Sequence, residues 1–237
     1  MKKLLLILIT ISNIFAFSTT NIQILYGNFN DNSYVFDTKN GGKTTITLEH
    51  FRTFEYGDIF MFADYTIADD KFKYHDDKNN LYGEFSPRVS LSKISSKDLS
   101  FLFVKDIFVA FQYNASDNNY DAYLYGLGTN IEIAYFNTFG LNVYKKNQNI
   151  GENNYQLSLN YTSAKFFNLL HLNGFTDWTE YDFLSQNQLL FDIAKPFKTH
   201  NLYLGVEWHY YRQKALLSNF KTRVNSNTLQ AMIKYSW

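Results

Sequence analysis

Apolar and polar residues alternate along most of this chain, and the alternation is most regular in the final stretch, Ser226 to Trp237. One set of alternate positions there is apolar: Leu229, Ala231, Ile233, Tyr235 and Trp237. Because successive side chains of a β-strand point to opposite faces, this pattern predicts a strand with one apolar and one largely polar face. A soluble sheet packed on a core would show the same alternation, so the pattern alone leaves two fold classes open.

The two ends of the chain favour a membrane barrel over a soluble sheet. The last strand ends on an aromatic residue, Trp237, as does the closing strand that the barrel-assembly machinery recognises in bacterial outer-membrane proteins. Residues Met1–Ala16 have the features of a signal peptide, with two lysines, a short apolar run and a small residue at the expected cleavage site. We therefore expect an exported protein of a Gram-negative bacterium, whose residues 17–237 form a barrel surrounded by outer-membrane lipid and lipopolysaccharide.

After the signal peptide the chain divides into about twelve strand-like segments. They predict an all-β fold, a transmembrane antiparallel up-and-down β-barrel of about 12 strands. The clearest internal segments are Asn154–Thr162, Asn201–Arg212 and Asp58–Ile67. The weaker segments are Asn21–Tyr26, Thr44–Phe54, Leu81–Leu91, Lys105–Tyr113, Tyr123–Ala134, Thr138–Lys145, Phe166–Trp178 and Ser185–Ile193. No later stretch has the roughly 20 consecutive apolar residues that a membrane-spanning helix needs, whereas about 10 alternating residues suffice for a barrel strand.

The connections between these segments support the same fold. Alternate connections are long and polar: Gly27–Lys43, Ala68–Asn80, Asn114–Ala122, Lys146–Asn153 and Gln213–Asn225. Most of the others are short, and outer-membrane barrels have short periplasmic turns and longer external loops. An even number of strands then puts both chain ends in the periplasm, where the first and last strands can pair. The connection Ser92–Val104 is long where a short turn is expected, which predicts extra structure on the periplasmic side.

The composition limits the class of function. Aromatic residues make up 19% of the chain, with 23 Phe and 19 Tyr against 2 Pro, which excludes a disordered chain and suits interfacial aromatic girdles. There is no cysteine, so disulfides and thiolate sites are excluded. The formal net charge of +0 gives no electrostatic basis for binding nucleic acid. A barrel of about twelve strands lies between those filled by their own side chains and wide porins, which predicts a narrow pore for small solutes.

No catalytic chemistry is visible in the sequence. It has no Gly-rich phosphate loop, no GxSxG elbow and no HExxH pair, and its five histidines lack metal-ligand spacing. We therefore predict no catalytic residue, no metal site and no cofactor. A lipid-modifying barrel enzyme is the alternative, because Ser158 and His171 could approach one another, and His209 is a further candidate for such an activity.

The polar strand faces, turned inward, carry many charged groups among aromatic rings. The charged residues are Glu49, Asp64, Glu84, Arg88, Glu132, Asp177, Asp192, Glu207 and Lys234. The aromatic residues are Phe60, Phe62, Tyr144, Tyr203 and Tyr211. One interpretation is a wall of compensating salt bridges that makes the barrel rigid. The other is a solute pathway, in which rings stack on a planar base while acids, amides and Arg hydrogen-bond its edge or a sugar hydroxyl.

Four short stretches resemble one known family. Residues 84–93 followed by 98–101 resemble the E-x-x-P-R-x-S-x-x-K…D-L-S-F stretch of the nucleoside-specific channel-forming outer-membrane proteins, the Tsx-like family. Residues 57–64 are similar to that family's strand ending in Ala-Asp. Residues 125–130 and 141–146 resemble its G-L-G-T-D and N-V-Y segments, although Asn130 stands where the pattern has Asp and Ser86 where an acid often precedes the Pro.

The resemblance implies a twelve-stranded monomeric barrel with a narrow channel for nucleosides and deoxynucleosides. It also implies that external loops can serve as a receptor for phages or colicins. The loops here are shorter than the family's, so a general small-solute porin and a structural or adhesive barrel remain the alternatives. The lumen candidates for substrate binding are Asp64, Glu84, Arg88, Ser90, Asn142 and Tyr144, which match the family pattern, together with Phe60 and Glu207 from the strand faces.

Overall fold

The computed structural model describes residues 17–29, 41–71, 77–167, 169–194, 201–214 and 225–237. These residues form a closed barrel of antiparallel strands in which each strand pairs with its sequence neighbours and the last pairs with the first. The strands are β1 Ser18–Asn28, β2 Gly42–Phe54, β3 Gly57–Ala68, β4 Asn79–Ser90, β5 Val104–Ser116, β6 Asp121–Ile131, β7 Phe136–Gln148, β8 Asn154–Ser163, β9 Leu170–Thr179, β10 Asp182–Asp192, β11 Leu202–Gln213 and β12 Asn225–Ser236. The predicted signal peptide, residues 1–16, lies outside the described residues.

The barrel closes where the sequence predicts it, between the two ends of the chain. In the β1–β12 pairing, Ile22 lies opposite Tyr235 and Ile24 opposite Ile233. Thr20 and Trp237 exchange two backbone hydrogen bonds, of 2.9 and 2.8 Å between N and O. Closure matters because an open strand edge would leave backbone N–H and C=O groups without partners in lipid.

The two faces of each strand differ as the alternation predicts. On β12, Leu229 is 67% exposed on the outer face, whereas its neighbour Gln230 is 4% exposed on the inner face. Aromatic side chains gather on the outer surface towards both ends of the barrel. The rings of Tyr235 and Trp237 stack 5.8 Å apart at the end that carries the chain termini, and those of Tyr113 and Tyr123 lie 4.8 Å apart near the other end. This arrangement is typical of interfacial aromatic girdles.

The long connection after β4 does carry extra structure, as predicted. A short helix, α1, spans Leu91–Ser95, and the Ser90 side chain caps it by accepting a hydrogen bond from the backbone N–H of Lys93. Further on, Phe101 and Val104 exchange two backbone hydrogen bonds that close a tight turn before β5. No helix in the described part of the chain is long and apolar enough to span a membrane.

Two further connections depart from the alternation of long and short loops. At the end opposite the chain termini, β9 and β10 are joined by residues 180–181 alone. At the terminal end, residues 193–201 make a long connection between β10 and β11. The predicted long loops near Gly27–Lys43, Ala68–Asn80 and Gln213–Asn225 are described only at their ends, because residues 30–40, 72–76 and 215–224 fall outside the described ranges.

Candidate solute-binding site

The structure places all eight candidate residues on the inner face of the barrel. They are Phe60 and Asp64 on β3, Glu84, Arg88 and Ser90 on β4, Asn142 and Tyr144 on β7, and Glu207 on β11. One residue expected inside is not there. Glu132 lies beyond the end of β6, where the alternation stops, and its carboxylate pairs with Lys105 at 2.5 Å in an exposed position.

Arg88 forms a buried ion pair that the sequence did not reveal. Its Nε and Nη2 donate to the two carboxylate oxygens of Asp58, at 2.8 and 2.7 Å, and the guanidinium lies 4.4 Å above the ring of Phe108. The third nitrogen, Nη1, is buried and has no partner among the described residues. Arg88 is thus held in place by two of its nitrogens, and its third nitrogen is a buried donor without a partner among the described residues.

Asn142 and Tyr144 lie on the same part of the wall as Arg88. Strand pairing connects Arg88 through Ala110 and Gly126 to Tyr144. Gly128 on β6 makes room for Asn142, since a Cβ at Gly128 would lie 2.1 Å from Oδ1 of Asn142. That Oδ1 atom is buried and has no hydrogen-bond partner among the described residues. This wall therefore combines a donor and an acceptor that have no partner among the described residues with the Tyr144 ring, all of them buried in the wall, and we call it the Arg88 site.

A line of aromatic rings leads along the neighbouring wall. The rings of Phe60 and Phe62 lie 6.0 Å apart, and those of Phe62 and Tyr82 lie 5.9 Å apart. The Tyr82 hydroxyl donates to Glu84 at 2.5 Å, and Gln112 donates to the other oxygen of Glu84 at 2.9 Å. Phe60 and Glu84 thus belong to one continuous surface of rings and a fixed carboxylate.

The three remaining candidates have their polar atoms in protein contacts. Both oxygens of Glu207 accept hydrogen bonds, from Gln188 at 2.9 Å and from Gln230 at 2.8 Å. Asp64 accepts from Thr47 at 2.6 Å. Ser90 donates to Asp106 at 2.5 Å in addition to capping α1. Their side chains face the interior, but these contacts make them parts of the wall.

Acidic groups outnumber basic ones among the described inward positions of the strands. The acids are Glu49, Asp58, Asp64, Glu84, Asp106, Asp177, Asp182, Asp192 and Glu207, and the bases are Lys43, Arg88, Lys146 and Lys234. Some acids meet across the lumen: Glu84 on β4 and Asp177 on β9 lie within electrostatic range of each other and of Lys146. The interior therefore carries more acidic than basic side chains, which favours positive over negative ions where the acids are ionised.

One lumen residue that sequence reasoning missed is Phe29, which follows β1 at the end opposite the chain termini. Its ring is 1% exposed, lies 5.3 Å from the His209 ring, and is covered by the Lys43 ammonium at 3.8 Å from the ring centre. Phe29 continues the inward positions of Leu25 and Gly27. Extending the alternation of the first strand by two residues would have identified it.

The structure does not bring together the residues of the alternative enzyme hypothesis. Ser158 donates to Asp177 at 2.5 Å. His171 lies six residues before Asp177 on the same strand, about 20 Å away at the rise of an extended strand, and its ring packs edge-on against Tyr203. Within the described ranges there is no group of three or more His, Asp or Glu side chains placed to bind a metal ion.

Comparisons with known proteins agree with this geometry. The family described as "Nucleoside-specific channel-forming protein, Tsx" matches residues 21–231. Outer membrane protein OmpK of Vibrio parahaemolyticus is 26% identical over 183 residues, which are 71% of this chain and 61% of that protein. This chain therefore spans about three fifths of the length of that relative.

Solved structures show a similar barrel. The KdgM porin gives a TM-score of 0.52 at 12% identity, covering 92% of this chain and 99% of the porin. The KdgM porin in complex with disordered oligogalacturonate gives a TM-score of 0.51 at the same identity. The family and the barrel fold indicate a transport channel rather than an enzyme. The chain belongs to the nucleoside-specific channel-forming family, and it is an outer-membrane protein.

Proposed function

We propose that this channel selects nucleosides and similar small planar solutes, which are neutral or positively charged, for passive diffusion into the periplasm. The observation that carries the proposal is the Arg88 site. There Nη1 of Arg88 and Oδ1 of Asn142, which are buried and have no hydrogen-bond partner among the described residues, would offer one donor and one acceptor beside the buried Tyr144 ring to a solute that displaces the side chains covering them. A nucleoside offers the matching features, because its base has a flat π-face and its edges and sugar carry donors and acceptors.

The expected free energy of nucleoside binding suits a channel rather than a protein that binds its ligand tightly. Stacking of a base on an aromatic ring contributes about 1–3 kcal/mol, and each hydrogen bond contributes about 1 kcal/mol net. Two hydrogen bonds and one stacked ring would give about 4 kcal/mol, which corresponds to a Kd of about 1 mM. Weak binding of this order raises the local solute concentration without trapping the solute, as conduction requires.

The charge of the lumen supports neutral or cationic solutes over anionic ones. Oligogalacturonate, the ligand in one KdgM structure, is a chain of acidic sugars. In this protein Glu84 and Asp177 approach each other inside the lumen, where an acidic sugar chain would be repelled. We infer that the two porins, although similar in fold, serve solutes of different charge.

Replacing Asn142 with Ala is expected to weaken nucleoside binding about fivefold, because it removes one hydrogen-bond acceptor worth about 1 kcal/mol. Barrel stability should change little, since Oδ1 of Asn142 has no partner among the described residues. The measurement is the concentration of adenosine that half-saturates its uptake into proteoliposomes, with thymidine as a second substrate and glucose as a non-binding comparison.

The matched control is Asn160→Ala. Asn160 also faces the lumen opposite a glycine, Gly140, but it lies on β8, away from Arg88. Equal effects of the two substitutions, or no effect of either, would argue against the Arg88 site. Adenosine uptake that never saturates, even in the unaltered protein, would leave a general small-solute porin. The predicted role of external loops as a phage or colicin receptor is independent of this test.

A further inference from the structure

A groove crosses the lipid-facing surface of β3, β4 and β5. Its floor is a row of three small residues that are direct neighbours on adjacent strands: Ala63, Gly83 and Ala115. Large side chains occupy the lipid-facing positions on both sides of this row. Met61, Phe85 and Tyr113 form one wall, and Leu81 forms the other. The space between them has a volume of about 520 Å³.

The groove is apolar along its length and polar only at its ends. Leu48, the neighbour of Ala63 on β2, closes one end. Beside it on the same strand lies His50, the neighbour of Met61, whose ring is hydrogen-bonded to Thr20 at 2.8 Å. At the other end the Asp117 carboxylate accepts a hydrogen bond from the backbone N–H of Leu81 at 2.9 Å. No polar group is therefore available inside it for a polar ligand, and its shape suits a hydrocarbon chain.

The groove is continuous with the surface of the barrel that faces lipid. The direction in which it runs indicates which leaflet of the membrane it contacts. Ala115 is the penultimate residue of β5, at the end opposite the chain termini, whereas Gly83 and Ala63 lie near the middle of β4 and β3. A row perpendicular to tilted strands runs obliquely across the wall. The groove thus descends from one membrane interface towards the centre of the bilayer. Long loops of such barrels face the outside, so this interface belongs to the outer leaflet.

We propose that this groove binds one acyl chain of a lipopolysaccharide molecule. The acyl chains of all lipids are as apolar as the outer surface of the barrel, so the burial of apolar area does not favour one position of a chain over another. The shape of the groove therefore determines where a chain is held. A chain lying on the small residues contacts Phe85, Tyr113 and Leu81 at its sides, whereas a flat wall would contact it on one side only. These additional dispersion contacts hold one chain in a fixed position.

The test is native mass spectrometry of the full-length barrel in detergent, titrated with purified hexa-acylated lipid A. One lipid A molecule should remain bound to the unaltered protein. Ala63→Leu fills the groove and Phe85→Ala removes one wall, and each should weaken retention about tenfold. Ala231→Leu is the control, because Ala231 also faces lipid but lies on β12, outside the groove. Heat-modifiable electrophoretic mobility establishes that every variant is folded.

Three results would overturn the proposal. Equal retention of lipid A by the groove variants and Ala231→Leu would show that the groove does not bind it. Equal retention of phosphatidylethanolamine would show that the groove does not prefer lipopolysaccharide. A dimer that disappears with Ala63→Leu would show that a second barrel occupies the groove. Because the groove lies on the outer surface, none of these results depends on which solute the lumen conducts.

Discussion

Replacing Asp58 with Asn is expected to lower the free energy of unfolding of the barrel by about 3 kcal/mol. The side chains of Asp58 and Arg88 are 8% and 12% exposed, and two hydrogen bonds join them. Removing one partner of a buried ion pair leaves the other charge uncompensated, which typically costs 3–5 kcal/mol. Equilibrium unfolding in urea, with the barrel folded into detergent micelles, measures the difference.

The chain offers a control that differs mainly in burial. Lys105 and Glu132 also form an ion pair, but their side chains are 56% and 66% exposed. Glu132→Gln should therefore cost less than about 1 kcal/mol. Asp58→Leu combined with Arg88→Met should recover much of the lost stability, because the pair is then replaced by apolar side chains of similar size. Similar losses in Asp58→Asn and Glu132→Gln would contradict the buried position of Arg88.

Neutralising Glu84 and Asp177 together is expected to reduce the preference of the channel for K⁺ over Cl⁻ at least fivefold at pH 9. The two carboxylates approach each other from nearly opposite strands of the barrel. A unit charge about 8 Å away, at an effective dielectric constant of about 20, changes the energy of an ion by about 2 kcal/mol before screening. Salt of about 0.1 M has a Debye length of about 10 Å, so much of this effect should remain.

The reversal potential across a planar bilayer with a tenfold KCl gradient gives the permeability ratio. The unaltered channel should favour K⁺, and Glu84→Gln with Asp177→Asn should bring the ratio towards one. Lys146→Gln, which removes a positive charge near the same carboxylates, should raise the ratio. Glu132→Gln removes an acid outside the lumen and should leave it unchanged. Anion preference in the unaltered protein would disprove the acidic character assigned to the lumen.

The strands of this fold were predictable from the sequence because both of their faces are constrained. In β12, lipid requires apolar side chains at one set of positions and the lumen requires polar ones at the other, so the pattern has a strict period of two. The prediction for Glu132 was wrong because β6 ends one residue earlier. Side chains alternate between the inner and outer faces only within a strand, so the alternation does not place a residue beyond its end. The ends of strands are set by hydrogen bonding to neighbours, which the sequence of one strand does not contain.

The candidate residues were predictable as inward-facing, but their contacts were not. The alternation of inward and outward positions placed Arg88 and Asn142 inside the barrel, whereas the pairing of Arg88 with Asp58 depends on the register between β3 and β4. Likewise, the sequence gives no sign that Glu207 is bonded to amides on β10 and β12. Residues that share a wall come from positions far apart in the chain, so only the register shows which polar atoms are already paired.

Single-channel conductance of the purified protein in a planar bilayer, titrated with adenosine, thymidine and glucose, tests the proposed solute selectivity most directly. We predict a small conductance that adenosine and thymidine block at about millimolar concentration, as expected for weak stacking and hydrogen bonding. Glucose, which has no aromatic face, should leave the current unchanged. Equal responses to all three solutes would contradict selection of nucleosides at the Arg88 site.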